Sequence, residues 1–428
     1  MAQRTLPESI CFWTIVLTWP LYFVGALFIV GPVLAWCLFF LILLSKYFGD
    51  SIRPDLVSTG QVPPLIWLWL VGMLIMLIAL WVGHANWSLG TDQTLKSSIG
   101  WAKGWAMIAI FLLVGATLQI NREVLIRSQN IVGLCTLVLF PFMLIAPSLG
   151  LPPKLFVSPL QATGGPGPEY FSIYLYTIDP ETMTPRWQFY APWSPFAGLV
   201  GVTMAIFALE DRRRFWLACG LIAGVIMIYF SKSRMSLVSL AVCVLVPRFL
   251  PLLKKPSTWL ALVVISPIAG MFGGQLSNFI SDSIRNFQHA RVSSSRVRDT
   301  IQNIGYQRWK AEAVWFGHGT VTRGPHIVEY MPIGSHHTWY ALLFVKGLVG
   351  FFALLVPMAV HVVTVIKDAI RGQRGRLPLA LLLNFIILTF GENIEIEIYL
   401  LWPALVLLGI HAREMTTPDK NTTGPLTI

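Results

Sequence analysis

The chain has 428 residues, 55% hydrophobic and only 12% charged; a soluble domain carries roughly 25% charged residues, so a soluble protein is excluded in favour of a polytopic membrane protein. Regular ten-residue segments of alternating polarity are absent, which favours helices over a barrel. The net charge of +11 reads as the cation excess of cytoplasmic loops, and no nucleic-acid partner is expected.

A membrane-spanning helix needs roughly 17–25 apolar residues. Runs of that kind fall near 10–29, 31–47, 63–83, 104–120, 129–149, 192–209, 215–231, 235–253, 257–273, 338–358, 377–391 and 396–412. The expected fold is all-α, with about 12 transmembrane helices and one large external loop. Residues 1–272 would hold helices 1–9, 273–337 the loop, 338–412 helices 10–12, and 413–428 a disordered cytoplasmic tail. The first run lacks a small-residue cleavage site and is read as a retained span rather than a signal peptide. The five cysteines lie within or beside apolar runs without metal-like spacing, so neither disulfides nor a zinc site is expected.

With the N-terminus in the cytoplasm, the cytoplasmic connections collect Lys46 and Arg53, Arg122 and Arg127, Arg212 to Arg214, Arg248, Lys254 and Lys255, and Lys367, Arg371, Arg374 and Arg376. That bias orients both termini inside. A smaller external segment, 151–192, contains the breaker cluster Thr163-Gly164-Gly165-Pro166-Gly167-Pro168 and cannot be one helix. Tyr170 to Tyr176 reads as a short strand or an interfacial aromatic patch. The long polar interval Gly273–His337 carries seven cations and five of the eight histidines. A loop this long is functional or disordered, and the functional reading is adopted.

Several residues in these external stretches carry candidate chemistry. Ser231-Lys232-Ser233-Arg234 is a polar island between two apolar helices, on the side where the inside bias does not explain cations. Guanidinium forks bind phosphate oxygens through paired hydrogen bonds, and the alternative is snorkelling at a helix end. Arg296 and Arg298 open a helix-like segment that runs to Phe316, with Ile301, Ile304, Trp309 and Ala313 at recurrent spacing. Phe316-Gly317-His318-Gly319 then reads as a tight turn.

His337, where the loop meets the tenth span, is suited to proton transfer near neutrality; the alternative is a helix cap, and His336 beside it would point elsewhere. Lys346 lies inside a span, where ionisable groups are costly, and pairing with Glu392, Glu395 or Glu397 is expected. No Asp-x-Asp pair occurs in an external loop, so no metal or other cofactor is expected.

Ser231-Lys232-Ser233-Arg234, the Ser295-Arg296…Trp309…Phe316-Gly317-His318-Gly319 run, and Ser335-His336-His337-Thr338-Trp339-Tyr340 followed by Lys346-Gly347 together resemble the O-antigen ligase/polymerase superfamily, most closely its O-antigen ligases, over residues 195–410. The resemblance implies an inner-membrane, metal-independent, inverting glycosyltransferase of the GT-C type. Such an enzyme moves a glycan from undecaprenyl diphosphate to lipid A–core oligosaccharide and so completes lipopolysaccharide. It implies Arg234 and Arg296 as diphosphate ligands and His337 near the acceptor hydroxyl. Arg186, Arg291, Arg298, Lys232 and His336 are further candidates for diphosphate or glycan contact. The family often has a non-basic residue at the position of Lys346, so no family role is carried over to it. Competing readings are a polymerase using the same donor, a protein O-oligosaccharyltransferase, and a transporter; a transporter would need paired broken helices or repeat symmetry near the midplane, and the sequence shows neither.

Overall fold

The computed structural model describes residues 4–47, 61–179, 182–271, 274, 277–278, 292–328, 330–334 and 337–416; for residues 262, 268, 269 and 292–296 it gives the backbone. Helix accounts for 76% of it. Among the described residues, seven helices are long and apolar enough to cross a membrane: Leu27–Tyr47, Pro64–Asn86, Thr91–Thr117, Arg122–Ile145, Arg234–Lys254, Thr338–Arg371 and Ile394–Thr416. The other apolar runs are helical but shorter.

In chain order, α1 (Leu6–Val16) and α2 (Thr18–Val24) part at Leu17, so the run near 10–29 is not one helix. Next come α3 (Leu27–Tyr47) and α4 (Pro64–Asn86). The span expected near 104–120 starts earlier: α5 (Thr91–Lys103) leads into α6 (Trp105–Thr117) through a break at Gly104. After α7 (Arg122–Ile145), the segment before residue 194 forms small antiparallel pairs, β1 (Lys154–Val157) with β2 (Ser172–Tyr174) and β3 (Thr177–Ile178) with β4 (Pro185–Arg186). The chain continues through α8 (Ser194–Leu209), α9 (Arg214–Phe230), α10 (Arg234–Phe249) and α11 (Pro256–Met271). Helix α12 (Val292–Glu312) follows, and then the pair of β5 (Thr322–Arg323) with β6 (Pro332–Ile333). The last helices are α13 (Thr338–Arg371), α14 (Arg376–Gly391) and α15 (Ile394–Thr416). Helix α12 ends at Glu312 rather than Phe316, and α13 carries Lys367 and Arg371 in its last turns rather than in a loop.

Helix α6 is apolar on every face and buried from Trp105 to Thr117, as expected of a helix at a bundle's centre. It packs on α15 through Gly115 and Gly409, which face the Val406 and Leu112 carbonyls so closely that a Cβ at either would overlap backbone; small residues permit this approach where lipid removes the hydrophobic drive. Helix α8 has 16 residues, about 24 Å at 1.5 Å per residue, short of a hydrocarbon core of roughly 30 Å. It is enclosed rather than lipid-facing, buried from Phe196 to Ala208. Its inward polar groups are met by Asn384 of α14, which donates to Thr203 Oγ1 at 2.9 Å and accepts from Ser239 Oγ of α10 at 2.7 Å.

Candidate functional site

Helix α13 is broken at Gly347, whose φ of 63° and ψ of −164° are outside the helical region. The break is filled by the loop that follows α12. In an unbroken helix the Phe344 and Val345 carbonyls would accept from Leu348 and Val349. Here they accept from the His318 and Gly319 N–H groups at 2.8 and 2.9 Å, while Leu348 and Val349 donate to the Val314 and Trp315 carbonyls at 2.9 and 3.1 Å. All four groups are satisfied, as a helix interrupted inside an apolar bundle requires. The strap 313–319 is therefore spliced into the helix, joining the two sequence motifs around His318 and Lys346.

The strap is also tied to α4, where Trp87 Nε1 donates to the Gly317 carbonyl at 3.2 Å and His84 Nε2 lies 3.0 Å from the Gly319 carbonyl. The His318 ring stacks between Trp87 and Phe344, at 4.8 and 4.3 Å between centroids, with Nε2 2.8 Å from Glu312 Oε2. Hydrogen bonds from Arg308 and His318 hold the Glu312 carboxyl below the usual carboxylate range.

Lys346, 2% exposed, sits at this break with Nζ 3.6 Å from Glu395 Oε1 and 5.5 Å from the Trp105 ring centre. Of the three expected partners, Glu395 is the one it meets. The Glu395 backbone abuts Gly104, at the α5–α6 break. Two helix breaks, which the sequence reading did not find, thus flank one ion pair whose lysine is buried. Removing one partner of a buried pair strands the other charge at about 3–5 kcal/mol. Glu395→Ala is accordingly expected to lower stability by about that much. Lys346→Met should cost less, because the remaining carboxylate is 26% exposed. Thermal unfolding of the two purified variants checks the order, and an equal or reversed loss would remove the ion pair from the account.

The N-termini of α8, α10 and α13 lie at one end of the bundle. At the turn before α10, Ser231, Ser233 and Ser236 are buried against Gly198, and Ser233 caps the helix by accepting from the Ser236 N–H. This holds Lys232 in the left-handed region, φ 54°, and puts Arg234, half-buried, at the first helical position. The hairpin β3–β4 lies against the turn, with the Trp187 N–H donating to the Phe230 carbonyl and Lys232 Nζ to Thr184 Oγ1. Its Arg186 pairs with Asp179 at 3.4 Å. Arg186, Lys232 and Arg234 are thereby gathered in one region. The next residue, Met235, packs on Gly391, adjoining Glu392.

His337 is the N-cap of α13, its Nδ1 accepting from the Trp339 N–H at 3.2 Å and its ring edge-on to Tyr340. Burial pushes the imidazole pKa down to about 4. The next residue, Thr338, donates through N and Oγ1 to the Glu392 carbonyl at 3.2 and 2.7 Å. Glu392 is 6% exposed; burial lifts its carboxyl to about 7, opposed by nearby Arg298 and a hydrogen bond from Trp193.

Arg234, Lys232, Arg186, His337 and Arg298 therefore converge on this end. Arg296 is on the first turns of α12, with its side chain outside the described set, and Arg291 and His336 lie outside the described residues. Sequence reasoning treated Glu392 only as a partner for Lys346 and missed Trp193; the signal for Glu392 was the polar step Glu392-Asn393 between two apolar runs.

No family model matches the sequence, and no curated protein is similar to it. The chemistry is therefore argued from the groups present. Cationic side chains and helix N-termini favour an anion with several oxygens. A neutral imidazole and a carboxyl near neutrality are suited to a hydroxyl that must lose its proton.

Proposed function

We propose that this chain is a glycosyltransferase of the O-antigen ligase kind. It would move a glycan from undecaprenyl diphosphate to a hydroxyl of lipid A–core oligosaccharide, without a metal. Its setting would be the bacterial inner membrane, with the site on the periplasmic side and both termini cytoplasmic. The observation that carries the reading is the meeting of the Arg234 turn, His337 and Glu392 at one end of a helical bundle. As the sugar–phosphate bond breaks, negative charge grows on the departing diphosphate, and fixed guanidinium groups act most strongly there.

The sequence reading offers His337 for proton transfer or as a helix cap, and the cap bond favours a donor role. A neutral imidazole has one donor and one acceptor nitrogen. With Nδ1 accepting from Trp339, Nε2 carries the proton and His337 donates to an oxygen of the acceptor sugar.

The test is the lipopolysaccharide ladder of a strain lacking the protein. Long polysaccharide retained on the lipid carrier with bare lipid A–core is the expected result. Lipid A–core bearing one repeat unit would make the protein a polymerase, and an unchanged ladder would end both readings. The paired breaks around Lys346 and Glu395 favour a second reading, an ion-coupled carrier. Transfer by purified protein in detergent, with no gradient, decides against it.

A further inference from the structure

The structure assigns Glu392 as the group that takes the proton from the acceptor hydroxyl, an inference that rests on the glycosyl-transfer reading. Glycosyl transfer to a hydroxyl leaves a proton to be placed. The attacking oxygen forms a bond to the anomeric carbon on the face opposite the leaving group. The carbon–oxygen bond to the diphosphate breaks, its electron pair stays on the diphosphate, and the hydroxyl proton goes to a base. Arginine and lysine are already charged, and the His337 lone pair at Nδ1 is occupied by a backbone N–H.

Most other carboxylates at this end are committed. Glu395 pairs with Lys346, Asp179 with Arg186, and Glu312 with Arg308 and His318. Glu397 is fully buried and accepts from the Tyr170 hydroxyl at 3.2 Å. Asp299 is exposed on α12.

Glu392 has the fixed position that a base needs. It caps the C-terminus of α14 in extended conformation, and its carbonyl is held by two hydrogen bonds from Thr338, the residue after His337. The Glu392 backbone is therefore fixed against the residue that follows His337. The Trp193 indole donates to the carboxyl, and a carboxylate has further lone pairs for an incoming O–H.

Among the described residues, the charged and titratable groups acting on it are Arg298 of α12 and Glu397 of α15, with Tyr170 and Glu169 beyond Glu397; Arg234 and His337 are the chain neighbours of Met235, which packs on Gly391, and of Thr338, which bonds the Glu392 carbonyl. Arg298 favours the ionised form and burial the neutral one, and the balance lies at about 7. Such a group is ionised above that pH, so transfer should rise through neutrality and level off in mild alkali. After transfer the proton passes from the carboxylic acid to water.

The test measures transfer by purified full-length protein, supplied with undecaprenyl-diphosphate-linked glycan and lipid A–core, between pH 5.5 and 9. Wild type should show the acid limb near neutrality. Glu392→Gln keeps the shape and the acceptor for Trp193 but cannot take a proton; it should lose about 100-fold or more in rate and lose the limb. Glu392→Asp, the second variant should the amide fail to fold, should retain a displaced limb. His337→Asn should be slower with the limb intact.

Wild-type rate and an unchanged pH profile in Glu392→Gln overturn the assignment and leave the glycosyl-transfer reading standing. A limb absent from wild type, or present in Glu392→Gln and absent from His337→Asn, also overturns it. A wild-type protein that transfers nothing at any pH overturns both.

Discussion

Gly347→Ala is expected to release the strap from α13 and to cost about 3 kcal/mol or more. Two costs combine. The native φ of 63° with ψ of −164° belongs to a region that residues with a Cβ occupy only at about 1–3 kcal/mol. A Cβ there would also overlap the backbone of Trp315 and Phe316, and backbone cannot swing aside as a side-chain end can. If the strap withdraws instead, the Phe344 and Val345 carbonyls and the Leu348 and Val349 amides lose their partners, each at about 1–3 kcal/mol if left buried and unpaired. The one escape is for α13 to straighten into a continuous helix, which alanine favours. That route re-pairs the helix and expels residues 313–319 together with His318. The expected readouts are a lower melting temperature and new protease cleavage between α12 and α13. A variant with the wild-type melting curve and digestion pattern would show that the break is not held by the glycine.

The difference between what was legible and what was not follows from this splice. The apolar runs are helical because hydrophobic length is a local property. The turn at Ser231 to Arg234 was visible as a polar island, and its position between α9 and α10 follows from that. His337 was read either as a proton carrier or as a cap; it is a cap, and the cap bond fixes which nitrogen is a donor.

The breaks at Gly104 and Gly347 were not legible. Gly347 lies inside the run near 338–358 and Gly104 stands at the start of the run near 104–120, so neither reads as a break within a helix, and glycine is common in membrane helices. What opens α13 is a set of hydrogen bonds from residues 314 to 319, a tertiary choice without a local signature. The same holds for Glu392, whose place beside His337 depends on Thr338 reaching across to the end of α14. Lys346 was recognised as costly, but which of three nearby glutamates it meets was not legible; it meets Glu395, whose backbone abuts the second break at Gly104.

Arg234→Ala is expected to reduce transfer by about 100- to 1,000-fold, the cost of removing one fixed donor to a developing negative charge. Arg234 occupies the first position of α10, where the helix dipole disfavours a cation. An arginine there is poorly placed for helix stability, while the same dipole and guanidinium act together on an anion in front of the helix. The cap is made by Ser233, so the alanine variant should still fold, and size-exclusion behaviour with thermal unfolding checks this.

Arg234→Lys should recover only part of the rate, because an ammonium cannot supply two parallel hydrogen bonds to a phosphate. Lys232, exposed and reaching toward Thr184, lies at the rim, and Lys232→Ala should affect donor affinity more than turnover. If the loss on Arg234→Ala falls on donor KM with kcat unchanged, the guanidinium binds ground state and transition state alike. In that case it anchors the diphosphate without assisting its departure. If kcat falls with KM unchanged, it acts on the charge that appears as the bond breaks. A folded Arg234→Ala protein with wild-type transfer would remove the turn from the site altogether.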